Sequence, residues 1–438
     1  MRTWFTHATV LTMNDAGEIK SDAAVLVEDG RIASILEEAP SDRLLADDRI
    51  IDLDGDLLMP GLINAHTHIS MSLFRNYGND VALHTWLNDY IWPLEDQMTP
   101  EDILIGAELS ILEMLRGGTT TFCDMYGEED RIAELVERTG IRAVLASGTL
   151  DGNIERKRSE MRRLSFWNHR ANDRIHIMVG PHAPYTCSPD TLRELKRWGE
   201  EYDVGFHIHL AETREEDQMI RQRYGVSPAM YLHQAGMLLP STILAHSIWL
   251  DEEDQELIAA ACCSCVYNPT SNMKLASGFM PLHALRERGI NVALGTDGAS
   301  SNNTQDMFRE LLVGSLIQKG HQLDPTVADA HTMLWMATRG GAQAIGQEKD
   351  LGSVEVGKKA DLIVVSQKNI RHTPKPQDIE AGLVYATASD DVRYTMVDGK
   401  LLMENGDFCG IQEEQVRHAA EMAWMRLYER GAQHVHRN

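Results

Sequence analysis

Leu57-Leu58-Met59-Pro60-Gly61-Leu62-Ile63-Asn64-Ala65-His66-Thr67-His68 is the stretch on which the fold turns. An apolar run, a Pro-Gly break and a second short apolar run end on two histidines one residue apart. In a strand alternate side chains share a face, so His66 and His68 point the same way, and paired neutral imidazoles are typical zinc or iron ligands. On its own the pattern is weak, because most such pairs are accidents of surface or core. Its position strengthens it. Further His, Glu and Asp residues recur at the ends of later apolar runs, at His209, Glu212, His246 and Asp297.

From Gly61 to about Gly346, apolar β-rich runs alternate with helical patterns, the sequence form of a parallel sheet with helical crossovers. Eight strands are expected: 62–66, 119–123, 143–147, 175–179, 205–209, 243–246, 265–267 and 292–295. Eight β/α units predict a closed (β/α)8 TIM-like barrel, an α/β fold whose catalytic residues sit at the C-terminal ends of the strands. The polar residues follow that rule: His66 and His68 end the first run, His182 follows the fourth, His209 and Glu212 end the fifth, His246 the sixth and Asp297 the eighth. His207 shares a face with His209, so parity alone does not choose between them. Before the barrel, Ala24–Val27 and Ile32–Leu36 flank a Glu28-Asp29-Gly30 turn. After it come a strand at Leu362–Val365, a hairpin over Tyr394–Met403 and a helix over Glu413–Arg430. The expected division is a first part of a small β-sandwich over residues 1–58, the barrel over 59–355, and the rest of the discontinuous sandwich with the C-terminal helix over 356–438.

Composition narrows the function. A chain of 438 residues with 43% hydrophobic and 24% charged residues has an ordinary globular make-up and ample core. The formal net charge of -25 opposes binding to phosphate backbones or anionic lipid, so no nucleic-acid or membrane partner is expected. There is no apolar run long enough to span a bilayer, and the N-terminal residues lack the build of a signal peptide, so a cytoplasmic protein is expected. Six cysteines without framework spacing read as free thiols. Cys262-Cys263-Ser264-Cys265 lacks a second pair to complete a tetrahedral site and reads as core packing.

Several segments together carry a resemblance: Pro60–His68, Gly180-Pro181-His182-Ala183-Pro184-Tyr185-Thr186, His207-Ile208-His209-Leu210-Ala211-Glu212-Thr213, Asn268-Pro269-Thr270-Ser271-Asn272-Met273-Lys274-Leu275 and Gly295–Asn303. Over essentially its whole length the sequence resembles the amidohydrolase superfamily, and within it the branch of S-adenosylhomocysteine/5'-methylthioadenosine deaminases, related to the triazine hydrolases. The resemblance implies that His66, His68, His209 and Asp297 hold a metal, that Glu212 is the acid/base, that His246 orients the water, and that Glu95 and His182 contact a nucleoside sugar. It also favours His209 over His207 as the ligand. Binuclear relatives carry a bridging lysine or glutamate after the fourth strand. Val179–Pro184 offers none, so one divalent metal is expected, zinc first and iron second.

The chemistry stands beside the name. Three neutral imidazoles and a carboxylate leave room for a water, whose pKa zinc lowers to about 7. Glu212, three residues beyond a ligand, can reach both that water and a ring nitrogen, and Asp297 can take the water's proton. Trp86 and Met71 read first as apolar packing and second as a wall for a purine. Relatives that take S-adenosylhomocysteine hold its carboxylate with arginines near the end of the third strand, whereas Ser147 stands here in Ala146-Ser147-Gly148; Arg156, Lys157 or Arg158 are the candidate replacements. The expected reaction is hydrolytic deamination of an adenine nucleoside, 5'-methylthioadenosine, S-adenosylhomocysteine or adenosine, by a homo-oligomer. Chlorotriazine hydrolysis and guanine or cytosine deamination are the alternatives on the same site, and a silent barrel serving as a binding protein is the remote one.

Overall fold

The computed structural model describes residues 2–37 and 44–435. Eight parallel strands, Leu62–Thr67, Thr119–Tyr126, Arg142–Thr149, Ile175–Pro181, Phe206–Leu210, Thr242–His246, Ser264–Tyr267 and Asn291–Leu294, lie side by side in chain order. The last four are buried throughout, as strands covered on both faces must be. One set of side chains, including Ile63, Val144, Ile243, Val266 and Ala293, fills the lumen, and Ala342, Ile345 and Leu351 plug its floor. The alternate set, including Phe122, Leu145, Ile208, Cys265 and Val292, packs under the outer helices.

The eighth strand meets the first through a few specific bonds rather than a ladder. Asp297 N–H donates to the His66 carbonyl at 3.0 Å, and the Asn64 side chain accepts from Thr296 N–H at 3.0 Å. Gly295 permits this approach, since a Cβ there would sit 2.9 Å from both backbone N and O of His66.

A second sheet of nine strands joins the two ends of the chain. Its order is Asp407–Phe408, Lys400–Glu404, Val392–Val397, Leu362–Val365, Leu57–Pro60, Arg2–Leu11, Ile19–Glu28 and Arg31–Leu36, with Arg49–Asp52 pairing beside Arg2–Leu11. Leu362 pairs with Pro60 and Val365 with Leu57, about 300 residues apart in the chain. Val25, Val27 and Ile32 from one half share a core with Leu362, Tyr394 and Met396 from the other, so the two halves of one hydrogen-bonded sheet cover a common interior. The sandwich expected from the sequence takes this form.

Helix Pro100–Arg116 braces the segment that follows His68. Its start is set by a Thr99/Asp102 capping box with Pro100 in the first turn. Ser110 Oγ donates to the Ile69 carbonyl at 2.7 Å and Ser72 Oγ to the Gly106 carbonyl at 2.6 Å. Gly106 is needed for this contact, because a Cβ there would stand 2.2 Å from the Ser70 carbonyl oxygen. The C-terminal helix, Glu413–Val435, packs Ala420 and Ala423 against Leu73 from the other side. Among the described residues no helix is long and apolar enough to cross a membrane.

Candidate active site

The residues singled out by strand-end position converge on the C-terminal mouth of the barrel. The first strand pairs with the second with a shift of register between Asn64 and Thr67, three residues facing two. That bulge lets Asn64 and Thr67 point outward to Thr296 and Gln305 while His66 and His68 both face the mouth. Four non-glycine residues here take the left-handed region, Ala211 at φ 48, His246 at 72, Ser247 at 49 and Asp297 at 62. Each such conformation costs on the order of 1–3 kcal/mol and persists where surrounding contacts enforce it.

His66, His68 and His209 bring one nitrogen each within 4.8 Å of the others. His68 Nδ1 donates to the Met125 carbonyl at 2.5 Å and His209 Nδ1 to the His182 carbonyl at 2.8 Å. A carbonyl can only accept, so both Nδ1 atoms carry a proton and the Nε2 atoms are the ones turned to the site. Those two Nε2 atoms face each other across 3.2 Å, and Asp297 Oδ1 lies 3.3 Å from His68 Nε2 and 3.7 Å from His66 Nε2. His66 Nε2 is buried without a hydrogen-bond partner, while its Nδ1 meets His207 Nε2 at 2.9 Å. Lone pairs and a carboxylate gathered this closely repel one another unless a cation lies among them, so the donor set fits a divalent ion. Burial, with neighbouring imidazoles adding to it, holds His66 and His209 well below the usual histidine range and so keeps both neutral. His207 is pushed down to about 3 by the same burial, and its contact with His66 makes it the buffer behind a candidate ligand.

Asp297 remains ionised. Burial alone would raise its pKa, but His68, His246, the Ser271 hydroxyl and the Gly298 N–H together lower it. Its Oδ2 accepts from Ser271 at 2.6 Å and Ser301 at 3.0 Å, and Oδ1 accepts from Gly298 N–H at 2.7 Å. Glu212 lies two residues past the fifth strand. Glu216 fixes this turn by accepting from the N–H groups of Ala211 at 3.0 Å and Glu212 at 2.9 Å. The Glu212 carboxylate meets His246 Nε2 at 3.9 Å and the Ser277 hydroxyl at 3.4 Å, and burial raises its pKa. His246 is the last residue of its strand, with Asn272 Oδ1 at 2.9 Å from its Nδ1.

The family model for the amidohydrolases matches residues 57–402. The chain belongs to the amidohydrolase family. It is 39% identical over 429 residues to a 5-methylthioadenosine/S-adenosylhomocysteine deaminase of Thermoanaerobacter pseudethanolicus, covering 97% of this chain and 99% of that one. It is 41% identical over 423 residues to a 5'-deoxyadenosine deaminase of Methanosarcina acetivorans, with 95% and 96% covered. A zinc-bound adenosine deaminase from Xanthomonas campestris shares the fold with a TM-score of 0.91 at 31% identity over 98% of each chain.

The remaining candidates of this amidohydrolase fall into two groups. His182 follows its strand as expected. The Thr186 hydroxyl gives its proton to the Ala183 carbonyl, so His182 Nδ1 donates to Thr186 at 2.9 Å and Nε2 is left as an acceptor. Burial pushes His182 down to about 4. Glu95 is not an exposed residue at a helix start; the Tyr126 hydroxyl donates to its carboxylate, and burial raises its pKa. Trp86 is 5% exposed and packs with Met71, Phe74, Leu94 and Leu275. Leu275 also lines a cleft of about 410 Å³, with Val81, Thr213, Lys274 and Ser277 among its other walls. Ser147 is buried, with no hydrogen-bond partner for its hydroxyl.

The basic run after the third strand does not form a clamp. Lys157 is buried, 2.9 Å from Glu160, and Arg158 pairs with Glu194 at the surface. Arg156 is exposed. Of the cysteine cluster, Cys263 and Cys265 are buried and all three thiols are free. Residues that sequence reasoning missed are Tyr126, Glu216, Ser271, Asn272 and Ser277. The one signal available was the polar run Asn268–Asn272 directly after a buried strand, where solvent-facing helix residues would ordinarily begin.

Proposed function

We propose that this amidohydrolase deaminates an adenine nucleoside to its hypoxanthine analogue, with His66, His68, His209 and Asp297 holding one divalent ion, zinc ahead of iron. The observation that carries the reading is the meeting of bare imidazole nitrogens and Asp297 beside a protonatable Glu212, in a chain about 40% identical to relatives named as deaminases of 5'-modified adenosines. When bound, the ion supplies a water that ionises near pH 7.

The chain's own residues supply the proton transfers. Glu212 is protonated more readily than an ordinary glutamate because it is buried, which suits donation to N1 of the purine as water adds to C6. Asp297 takes a proton from the adding water. His246, held at Nδ1 by Asn272, keeps Nε2 directed to Glu212 and the incoming oxygen. The proton held by Asp297 passes to the C6 amine, which leaves as ammonia with the electrons of the C–N bond, while the C6 hydroxyl returns its proton to the Glu212 carboxylate and becomes the hypoxanthine carbonyl. Glu95 and His182 read the ribose hydroxyls, one as a charged acceptor and the other through its free Nε2. Trp86, packed with Met71 and Leu275, is a wall for the base.

At the end of the third strand and in its following loop, Ser147 and the outward or internally paired basic residues 156–158 supply no clamp for an amino-acid carboxylate. Substrates with a small neutral 5'-group, such as 5'-methylthioadenosine or 5'-deoxyadenosine, therefore fit at least as well as S-adenosylhomocysteine. Ammonia release across adenosine, 5'-deoxyadenosine, 5'-methylthioadenosine, S-adenosylhomocysteine, guanine, cytosine and a chlorotriazine, ranked by kcat/KM, tests this. The neutral adenine nucleosides are expected to lead. A lead for a free base or for the chlorotriazine would overturn the reading.

A further inference from the structure

Tyr126 closes the second barrel strand and stands between two parts of the site. Its neighbour Met125 holds His68 through a carbonyl, while its own hydroxyl donates to Glu95. Both side chains of that pair are half-buried. A half-buried carboxylate that accepts from a hydroxyl is held in orientation by it, and loss of the donor leaves it free to turn.

The tyrosine is itself held at the backbone. Its N–H donates to Glu129 Oε1 at 2.9 Å, and its carbonyl lies 3.4 Å from Lys157 Nζ. Lys157 is paired with Glu160 at 2.9 Å, and Glu160 accepts from Glu129 N–H at 3.3 Å. Glu129 and Lys157 are almost wholly buried, at 0% and 3% exposure, which is an expensive arrangement to keep beneath one tyrosine. On the same strand, Asp124 accepts from Ile69 N–H at 2.8 Å, one residue past His68. The strand end that carries Tyr126 is thereby tied to the segment of the metal-binding histidines.

We infer that Tyr126 is a positioning residue for nucleoside recognition: its hydroxyl orients the Glu95 carboxylate toward the ribose diol, and the buried Glu129/Lys157/Glu160 group fixes the tyrosine's backbone. The inference rests on the proposed role of Glu95. It separates specificity from chemistry, because Tyr126 acts on the sugar contact and not on Glu212.

The experiment compares wild type, Tyr126→Phe, Glu95→Gln and the double variant on adenosine and on 2',3'-dideoxyadenosine, with metal content and melting temperature measured alongside. Tyr126→Phe is expected to raise KM for adenosine about tenfold with kcat nearly unchanged, and to leave KM for the dideoxynucleoside where it was. In the Glu95→Gln background the same substitution should add no further change, and this comparison also serves if Tyr126→Phe alone is unstable. Equal losses on both nucleosides, or a fall in kcat with KM unmoved, would overturn the positioning role while leaving Glu95 intact as the sugar contact. A Glu95→Gln enzyme that still discriminates between the two nucleosides as strongly as wild type would contradict the sugar reading itself and this inference with it.

Discussion

Asp297 and Asp361 are both buried carboxylates at strand ends, and they are finished in opposite ways. Asp361, just before strand Leu362–Val365 of the second sheet, takes Arg142 Nε on Oδ2 at 2.8 Å and Arg142 Nη2 on Oδ1 at 3.0 Å, and its Oδ1 also accepts from Asp398 N–H at 2.8 Å. Arg142 spends its remaining nitrogen on the Asp173 carbonyl at 2.8 Å. Charge, geometry and hydrogen bonds are all satisfied by protein, and the pair fastens the sheet to the base of the barrel. Asp297, at the other end of the barrel, has serines and a backbone N–H on its oxygens but, among the described residues, no arginine or lysine; what faces it is a ring of imidazoles, of which burial keeps His66 and His209 neutral. A complete buried ion pair is architecture. An incomplete one, held in strained backbone, is a place for a ligand and a reaction.

The largest expected effect tests the architectural half. Arg142→Met keeps most of the volume and strands Asp361, so unfolding stability should fall by about 3–5 kcal/mol. Activity per folded molecule at moderate temperature should be nearly unaffected. An unchanged denaturant midpoint would show that Asp361 is not dependent on its partner, and a selective loss of kcat would erase the division between the two ends.

At the mouth, Glu212→Gln should preserve the melting temperature and metal content while lowering kcat by at least about a hundredfold, the usual contribution of a general acid/base. Near-wild-type turnover would remove Glu212 from the chemistry. A smaller effect separates recognition from both. Ser147→Arg should raise kcat/KM for S-adenosylhomocysteine several-fold, about 1 kcal/mol of added charge-assisted bonding, and leave 5'-methylthioadenosine unchanged. An equal change on both substrates would mean that the third strand's end does not face the 5'-group.

Which parts of this were legible in the sequence follows from the same contrast. His66, His68, His209, Glu212, His246 and Asp297 could be found because each ends an apolar run, and strand ends in a (β/α)8 barrel point to one mouth. The barrel itself was legible from the alternation of runs. Tyr126, Glu216 and Ser271 were not, because their importance lies in pairings made by folding: Tyr126 with Glu95, Ser271 with Asp297. Lys157 reads as part of a solvated charge run until its helix turns it inward onto Glu160. The joining of the two chain ends was expected from their strand patterns, but the register of Leu362 on Pro60 depends on a sheet edge that no local periodicity records.

The central claim is that the mouth of the barrel is built around one cation, and metal analysis paired with activity on the same sample tests it most directly. Purified protein should carry about one equivalent of zinc or iron. Chelation should remove the metal and deaminase activity together, and readdition of about one equivalent of zinc should restore both. Two equivalents in the active protein, or full activity with the metal stripped, would contradict the account.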